Sequence, residues 1–304
     1  MADIIATVWD FDKTLIPGYM QDPIFNSRKL DPKAFWEKNN ARIKELQAQG
    51  LDVNPDTYYL NTFISEARIG GALDGINNET IRALGKELKF YKGAIDLFKA
   101  IHELNNDEVY NNYGIKFECY IVSTGLKKMI QGSEIAPYVK KIWGAEFVDS
   151  VDKEDGKTRI TEIAYSLDNS TKTRAVFEIN KGVGIEEGST IDVNTKIPEE
   201  ERRVQFCNMV YVADGPSDVP AFSLVVQKGG ATMAVYPKGD AKAFRQVYEL
   251  SKAGRVNMVA EADYTEGSQA RLWLMGRLRE QADKLVEVKR SVFKRPAGTP
   301  SHLI

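Results

Sequence analysis

Four short apolar runs, none of them alternating with polar residues, set the frame for this chain. They are Ile4–Trp9, which stops at Asp10; Phe117–Val122, which stops at Ser123; Met209–Ala213, which stops at Asp214; and Ala231–Tyr236, which stops near Pro237. A run without alternation has no solvent-facing side, so each reads as a strand buried on both faces, as in a parallel sheet. A shorter run, Ile142–Val148, lies between the second and third. Helical patterns separate them: Gly93–Leu104 carries one apolar stripe, Thr171–Ile179 follows the capping candidates Asn169 and Ser170 and stops before Gly182, and Ser268–Val288 is long and amphipathic. Strands alternating with helices imply an α/β fold with a Rossmann-like doubly wound parallel sheet.

One interval is too long for a single crossover. About 111 residues separate Asp12 from Ser123, whereas a strand–helix–strand unit takes roughly 30 or a little more. The excess reads as an inserted helical module with starts at Asp31-Pro32, Asn54-Pro55 and Asn78-Glu79, the first two helices ending before Gly50 and Gly70-Gly71. The expected division is a core of residues 1–16 and 90–304 and a helical cap of residues 17–89. The cap aromatics Phe35, Trp36, Tyr58, Tyr59 and Phe63 read mainly as core, with a few facing a substrate. Asp155-Gly156, between Phe147–Val151 and Ile160–Tyr165, reads as the turn of a β-hairpin. The polar stretch Val183–Arg203 is expected to be a long loop beside the site, and the basic tail after Arg290 to be loosely ordered.

Composition narrows the chemistry. The 304 residues are 43% hydrophobic and 28% charged, enough for a packed core. The 41 basic and 43 acidic side chains give a net charge of -2, which leaves no electrostatic footprint for nucleic acid or an anionic membrane. No apolar segment approaches transmembrane length, and the expected location is the cytoplasm. Cys119 and Cys207 both read as buried reduced thiols. With only His102 and His302 present, histidine-based triads and histidine-rich metal sites are nearly excluded by inventory.

In open parallel sheets, ligands bind beyond the carboxyl ends of the strands. There the sequence delivers Asp10, Asp12, Ser123, Asp214 and Asp218, while Lys172 opens the helix before the third of the long runs. Several carboxylates without histidine make an oxygen-rich site for a hard cation, favouring Mg²⁺. A lysine and a hydroxyl beside them suit a phosphoryl group. Asp10 can serve as a nucleophile, and Asp12 can protonate a leaving alcohol and later activate water.

Four segments taken in order resemble the motifs of the haloacid dehalogenase (HAD) superfamily. Asp10-Phe11-Asp12-Lys13-Thr14 is similar to its DxDxT motif, and Ile121-Val122-Ser123-Thr124-Gly125 to its second motif. Lys172 stands at the third-motif lysine, and Asp214-Gly215-Pro216-Ser217-Asp218 is similar to the acidic fourth motif, with Ala213 where a glycine is more usual. The resemblance implies a phosphomonoester hydrolase in which Asp10 is the nucleophile and Asp12 the general acid/base. It implies Mg²⁺ held by the Asp10 carboxylate, the Asp12 backbone carbonyl and Asp214, with Asp218 close behind, and a phosphoryl group held by Thr14, Ser123, Thr124, Gly125 and Lys172. The helical insertion matches the phosphoserine-phosphatase-like branch. Tyr19 stands where phosphoserine phosphatases carry the glutamate that reads the substrate amine, and Arg68 is matched with their carboxylate-binding arginine; both are candidate substrate contacts. The expected partner is a small phosphorylated metabolite.

Taken singly, each motif has an ordinary explanation: a turn, a helix cap or a solvated lysine. Their joint occurrence at strand ends carries the reading. The alternatives are a phosphotransferase, in which an alcohol replaces water, and a phosphate-binding or regulatory protein of the same fold without turnover. A receiver-like signalling module would be smaller and would have no use for Asp12.

Overall fold

The computed structural model describes residues 3–293. The basic tail beyond, with Pro296, Pro300 and His302, lies outside the described residues. In chain order the elements are β1 (Asp3–Trp9), α1 (Asp22–Ser27), α2 (Pro32–Ala48), α3 (Pro55–Ala67), α4 (Asn78–Leu84), α5 (Ala94–Glu103), α6 (Glu108–Asn112), β2 (Ile115–Leu126), α7 (Lys127–Gln131), β3 (Lys141–Val151) and β4 (Thr158–Tyr165). There follow α8 (Thr171–Lys181), β5 (Met209–Ala213), α9 (Val219–Gln227), β6 (Ala231–Tyr236), α10 (Ala241–Lys252), β7 (Met258–Glu261) and α11 (Gln269–Phe293).

The seven strands form one sheet in the order β4-β3-β2-β1-β5-β6-β7. Every pairing is parallel except β3 with β4, the expected hairpin. The sheet is covered on both faces, which is why its strands read as continuous apolar runs. Within β1 the side chains sort by parity: Ile5 and Trp9 join the core on the face covered by α5 and α11, where Trp9 packs on Phe98 and Tyr264, whereas Ile4, Ala6 and Val8 join the core beneath α8 and α9. The strand order reverses direction at β1, with β2 on one side and β5 on the other. Trp9 stands opposite both Ile121 and Val212, so the residues just past those positions on three strands emerge together at one edge.

The inserted helices start as their sequences dictate. Asp31 caps α2 by accepting the Lys33 N–H, and Asn54 caps α3 by accepting the Asp56 and Thr57 N–H groups. Phe25, Phe35, Trp36, Tyr59 and Phe63 pack in one aromatic cluster, edge to face except for the tilted Phe25–Phe35 pair. The module is tied to the sheet at its ends. Asn54 donates to Asp168 before α8 (2.9 Å), and Asn78 at the start of α4 donates to Asp149 and the Phe147 carbonyl of β3. Arg159 of β4, almost wholly buried, bridges Asp155 in the hairpin turn and Asp74 in the insertion.

Several details differ from the sequence reading. β2 does not stop at Ser123 but runs on to Leu126, because the residues after Ser123 stay extended and Leu126 pairs with Ala145 of β3. The edge strand β7 and helix α10 are additional. Cys119 is buried in β2, but Cys207 is exposed, since it sits in a turn of 3₁₀-helix before β5 and not inside the strand. The 183–203 loop does not flank the strand ends that carry the acidic motifs. It begins where α8 ends, and ten helical steps of about 1.5 Å put that end some 15 Å from Thr171. There Lys141, the first residue of β3, donates to the Val183 carbonyl, and Arg203 pairs with Glu118.

Candidate active site

β1 ends at Trp9, and Asp10 continues its ladder by donating its N–H to the Val212 carbonyl of β5 (2.9 Å). The chain then wraps around the Phe11 carbonyl, which accepts the N–H groups of Thr14 and Leu15. The tight turn sets Lys13 at φ 59°, a left-handed conformation that costs a residue with a side chain of order 1 kcal/mol or more. The reward is geometric: both aspartates and Thr14 end up facing the same edge of the sheet.

Asp10 is 4% exposed. Its Oδ1 accepts from Lys172 Nζ (2.8 Å) and its Oδ2 from the Thr14 hydroxyl (3.2 Å). Lys172 is itself buried and donates a second time, to Asp218 Oδ1 (2.8 Å). It reaches this point because α8 begins at the carboxyl edge of the sheet. The start is fixed by the Asp168 carboxylate, which accepts the Ser170 and Thr171 N–H groups, and not by Asn169 or Ser170 as their sequence position suggests. Asp218 is fully buried and hydrogen-bonded at both oxygens: Tyr211 donates to Oδ1 (2.6 Å) and Ser217 to Oδ2 (2.7 Å).

Asp214 is different. Among the described residues its carboxylate has no hydrogen bond or ion pair, and burial together with the charges of Asp10 and Asp218 raises its pKa to about 7. Asp10 is raised to about 6 by burial, with Lys172 opposing and Asp218 adding to the shift. Oxygens of Asp10, Asp214 and Asp218 lie within 4.8 Å of one another. Two buried carboxylates and the partly buried Asp214, facing a single ammonium, form an excess of negative charge that a hard divalent cation would balance, and an all-oxygen donor set suits Mg²⁺ chemistry. The residues present therefore fit such a cation.

The Asp12 side chain stands apart from that cluster. Its Oδ1 accepts the Met20 N–H (2.9 Å), and burial, with the Asp10 charge adding, holds its carboxyl well above the usual range. A carboxyl whose affinity for a proton is raised in this way has the property a general acid needs. Met20 also packs against Gly125: a Cβ there would come within 2.4 Å of the Met20 methyl carbon and 2.5 Å of its sulfur. Gly125 thus lets the strand end close onto the residue that anchors Asp12. Beside it, Ser123 is buried and its Oγ accepts the Gly125 N–H (3.0 Å), while the Thr124 carbonyl accepts from the Tyr59 hydroxyl (2.9 Å).

A cavity of about 490 Å³ opens between this edge and the inserted helices, with Asp12 and Thr124 on one wall and Tyr19, Gln21, Trp36 and Tyr59 on the other. Tyr19 stands at its rim, 46% exposed, with its hydroxyl held by Lys13 Nζ (2.7 Å). Arg68 is not among the cavity's lining residues. It caps the far end of α3 in a separate cleft lined by Val151 and Arg159. The first turn of α3 supplies Asp56 and Tyr59 to the cavity, and the helix then carries Arg68 away by about 1.5 Å per residue.

Sequence reading missed the polar groups that support the site from behind. Tyr211 interrupts the apolar β5 and is fully buried; a buried phenol needs a partner, and that need is a signal legible in advance. Tyr264 is also buried and donates to the Thr14 carbonyl (2.6 Å). Gln21 and Asp56 carry no local signal, because only the docking of the insertion brings them to the cavity.

No family model matches the sequence. The chain is 35% identical over 289 residues to an uncharacterized protein of Borreliella burgdorferi, covering 91% of this chain and 97% of that one. Among solved structures it is similar to a substrate-bound phosphoserine phosphatase complex, at a TM-score of 0.50 and 14% identity over 90% of this chain and 99% of the other. A phospho-aspartyl intermediate analogue of phosphoserine phosphatase gives a TM-score of 0.49 at 15% identity, over 90% of this chain and 98% of the other. Among the described residues no helix is long and apolar enough to cross a membrane.

Proposed function

This chain belongs to one family with the Borreliella burgdorferi protein and has the HAD fold, and from that premise we propose that it hydrolyses small phosphomonoesters through an aspartyl-phosphate on Asp10. The observation that carries the reading is the buried Lys172 ammonium shared between Asp10 and Asp218, with the unpaired Asp214 carboxylate beside it.

Asp10 Oδ1 is fixed by Lys172 and Oδ2 by Thr14, so the carboxylate is oriented before substrate arrives. In the first step an Asp10 oxygen forms a bond to phosphorus and the ester P–O bond breaks. The leaving alkoxide takes the Asp12 proton and departs as the alcohol. In the second step Asp12, now a carboxylate, takes a proton from water; the water oxygen bonds to phosphorus, the acyl-phosphate P–O bond breaks, and Asp10 is regenerated. Lys172 stabilises negative charge on Asp10 and on the phosphoryl oxygens, and the Ser123 hydroxyl with the Thr124-Gly125 segment holds those oxygens. Asp10, Asp214, Asp218 and the Asp12 carbonyl would hold Mg²⁺, whose chemistry when bound is to offset the repulsion between a carboxylate nucleophile and a phosphate dianion. Residues 17–89 act as a cap on a core of residues 1–16 and 90–304, excluding bulk water and selecting the substrate. The cytoplasm is the proposed location.

The test is phosphate release from a panel of phosphomonoesters, with and without Mg²⁺, for the native protein and for Asp10→Asn. Metal-dependent release that disappears in Asp10→Asn is the expected result. Absence of release from every ester by folded protein, or near-native rates in Asp10→Asn, would overturn the reading.

A further inference from the structure

The cavity beside Asp12 has a definite chemical bias. Its walls carry the carboxyl groups of Asp12, Glu37 and Asp56 against a single cation, Lys33, and no arginine. The Lys33 side chain is 81% exposed and stands 3.9 Å from Glu37, so its charge is spent at the solvent side. Asp56 is half-buried, and among the described residues its carboxylate has neither an ion pair nor a hydrogen bond. Burial, opposed by Lys172 and reinforced by Asp168, leaves its carboxyl above the usual range.

A second and independent feature is Gln21. This side chain is 4% exposed, it lines the same cavity, and among the described residues its Oε1 has no hydrogen-bond donor. A buried acceptor without a donor is destabilising, and a ligand that brings an N–H satisfies it. Between these acceptors stands Tyr59, packed edge-on against Trp36 at 5.7 Å between ring centroids. Burial and the charges of Asp12 and Asp56 push its hydroxyl up, which places both carboxylates near it. An aromatic face beside the unpaired Asp56 carboxylate suits an organic cation.

We propose that this cavity takes a small phosphomonoester whose alcohol part bears a protonated primary amine, with Asp56 and Gln21 Oε1 accepting from its N–H groups and Trp36 and Tyr59 walling its carbon chain. The proposal rests on the phosphohydrolase reading and deepens it. A neutral polyol ester would serve Gln21 but leave the Asp56 charge unbalanced. An alcohol carrying a carboxylate or a second phosphate would meet Asp56 and Glu37 with no arginine to receive it. The volume, about 490 Å³, is at the small end of ligand cavities and fits a short chain.

The experiment compares 2-aminoethyl phosphate with its near-isosteres 2-hydroxyethyl phosphate and n-propyl phosphate. The expected kcat/KM is at least about tenfold higher for the amine, the size of one charge-assisted hydrogen bond. Asp56→Asn should pull the amine-to-propyl ratio towards one, and Gln21→Met should lower it by a smaller factor. Thermal melts confirm that both variants fold. Binding of the same three esters to Asp10→Asn protein is followed by calorimetry. Equal turnover of the three esters, or a ratio untouched by Asp56→Asn, overturns the amine proposal while leaving hydrolysis intact. Preferential binding of the amine by Asp10→Asn, with no turnover of any ester by the native protein, sinks hydrolysis and upholds the cavity assignment.

Discussion

Lys172 Nζ lies 2.8 Å from Asp10 Oδ1, joining residues 162 positions apart in the chain, with both side chains almost fully withdrawn from solvent. Asp10 pulls the lysine pKa upward, as does Asp218, although burial alone would lower it. Removing one partner from such an arrangement leaves unbalanced charge in a poorly polarisable site. Lys172→Met should therefore destabilise the cation-free protein by about 3–5 kcal/mol and reduce turnover roughly 100- to 1000-fold. Chemical denaturation in EDTA and phosphate release read the two effects. A variant as stable as the native protein would show that the ammonium does not balance those carboxylates.

In the proposed mechanism the Asp12 side chain serves acid/base chemistry and not cation binding. Its carboxylate is held by the Met20 N–H and stands outside the Asp10–Asp214–Asp218 cluster. Asp12→Asn should slow turnover by roughly 100- to 10,000-fold, while the rise in melting temperature on adding Mg²⁺ stays close to native. Asp214→Asn should show the opposite signature, losing the Mg²⁺-induced rise. If Asp12→Asn abolished that rise too, the division of labour would be wrong.

The parts of this fold that were legible in the sequence are those fixed by short-range physics. Buried parallel strands have no polar face, so β5 and β6 are bounded correctly by their apolar runs, and Asp-Pro and Asn-Pro pairs mark the starts of α2 and α3. The strand ends then bring Asp10, Ser123 and Asp214 to one edge by register. What escaped depends on packing between distant segments. Arg68 sits in a plausible helix at a plausible spacing, yet the direction of α3 takes it away from the cavity. The 183–203 loop was misplaced for the same reason, because the length of α8 decides at which edge of the sheet it emerges. Gln21 and Asp56 look like ordinary surface residues until the insertion docks.

The carboxylate cluster predicts an unusual pH dependence of stability. Asp10 and Asp214 have folded-state pKa values of about 6 and about 7, both raised above the ordinary carboxylate value, with burial the largest cause. The folded state therefore binds protons more tightly than the unfolded chain, and stability falls as pH rises through these values. In EDTA the melting temperature should be higher at about pH 5.5 than at about pH 8, and Mg²⁺ should recover the loss at the higher pH. Below about pH 4 the trend reverses, as carboxylates with lowered pKa such as Asp74 and Asp155, both hydrogen-bonded to Arg159, take up protons and release that arginine. A melting temperature that rises steadily from pH 5.5 to 8 in EDTA would contradict the electrostatics described for the site.

Two glycine substitutions should act in opposite directions. Gly132, which ends α7, lies against the backbone of α4: a Cβ there would sit 1.7 Å from the Arg82 carbonyl oxygen. On the facing segment, a Cβ on Gly85 would come within 2.2 Å of the Met129 carbonyl oxygen. Neither contact is with a flexible side chain, so the two helices must separate to admit a methyl group, and Ile81 is buried in the core that this contact closes. Gly132→Ala should destabilise by about 1–3 kcal/mol, the usual cost of overpacking. Gly276 lies inside the long helix α11, exposed, with nothing within 4 Å of an added Cβ. There the substitution only restricts the unfolded chain and improves helix propensity, so Gly276→Ala should stabilise by about 0.4–1 kcal/mol. Denaturant melts of both variants measure the pair. Equal and small effects would mean that α4 and α7 do not approach as closely as their backbones indicate.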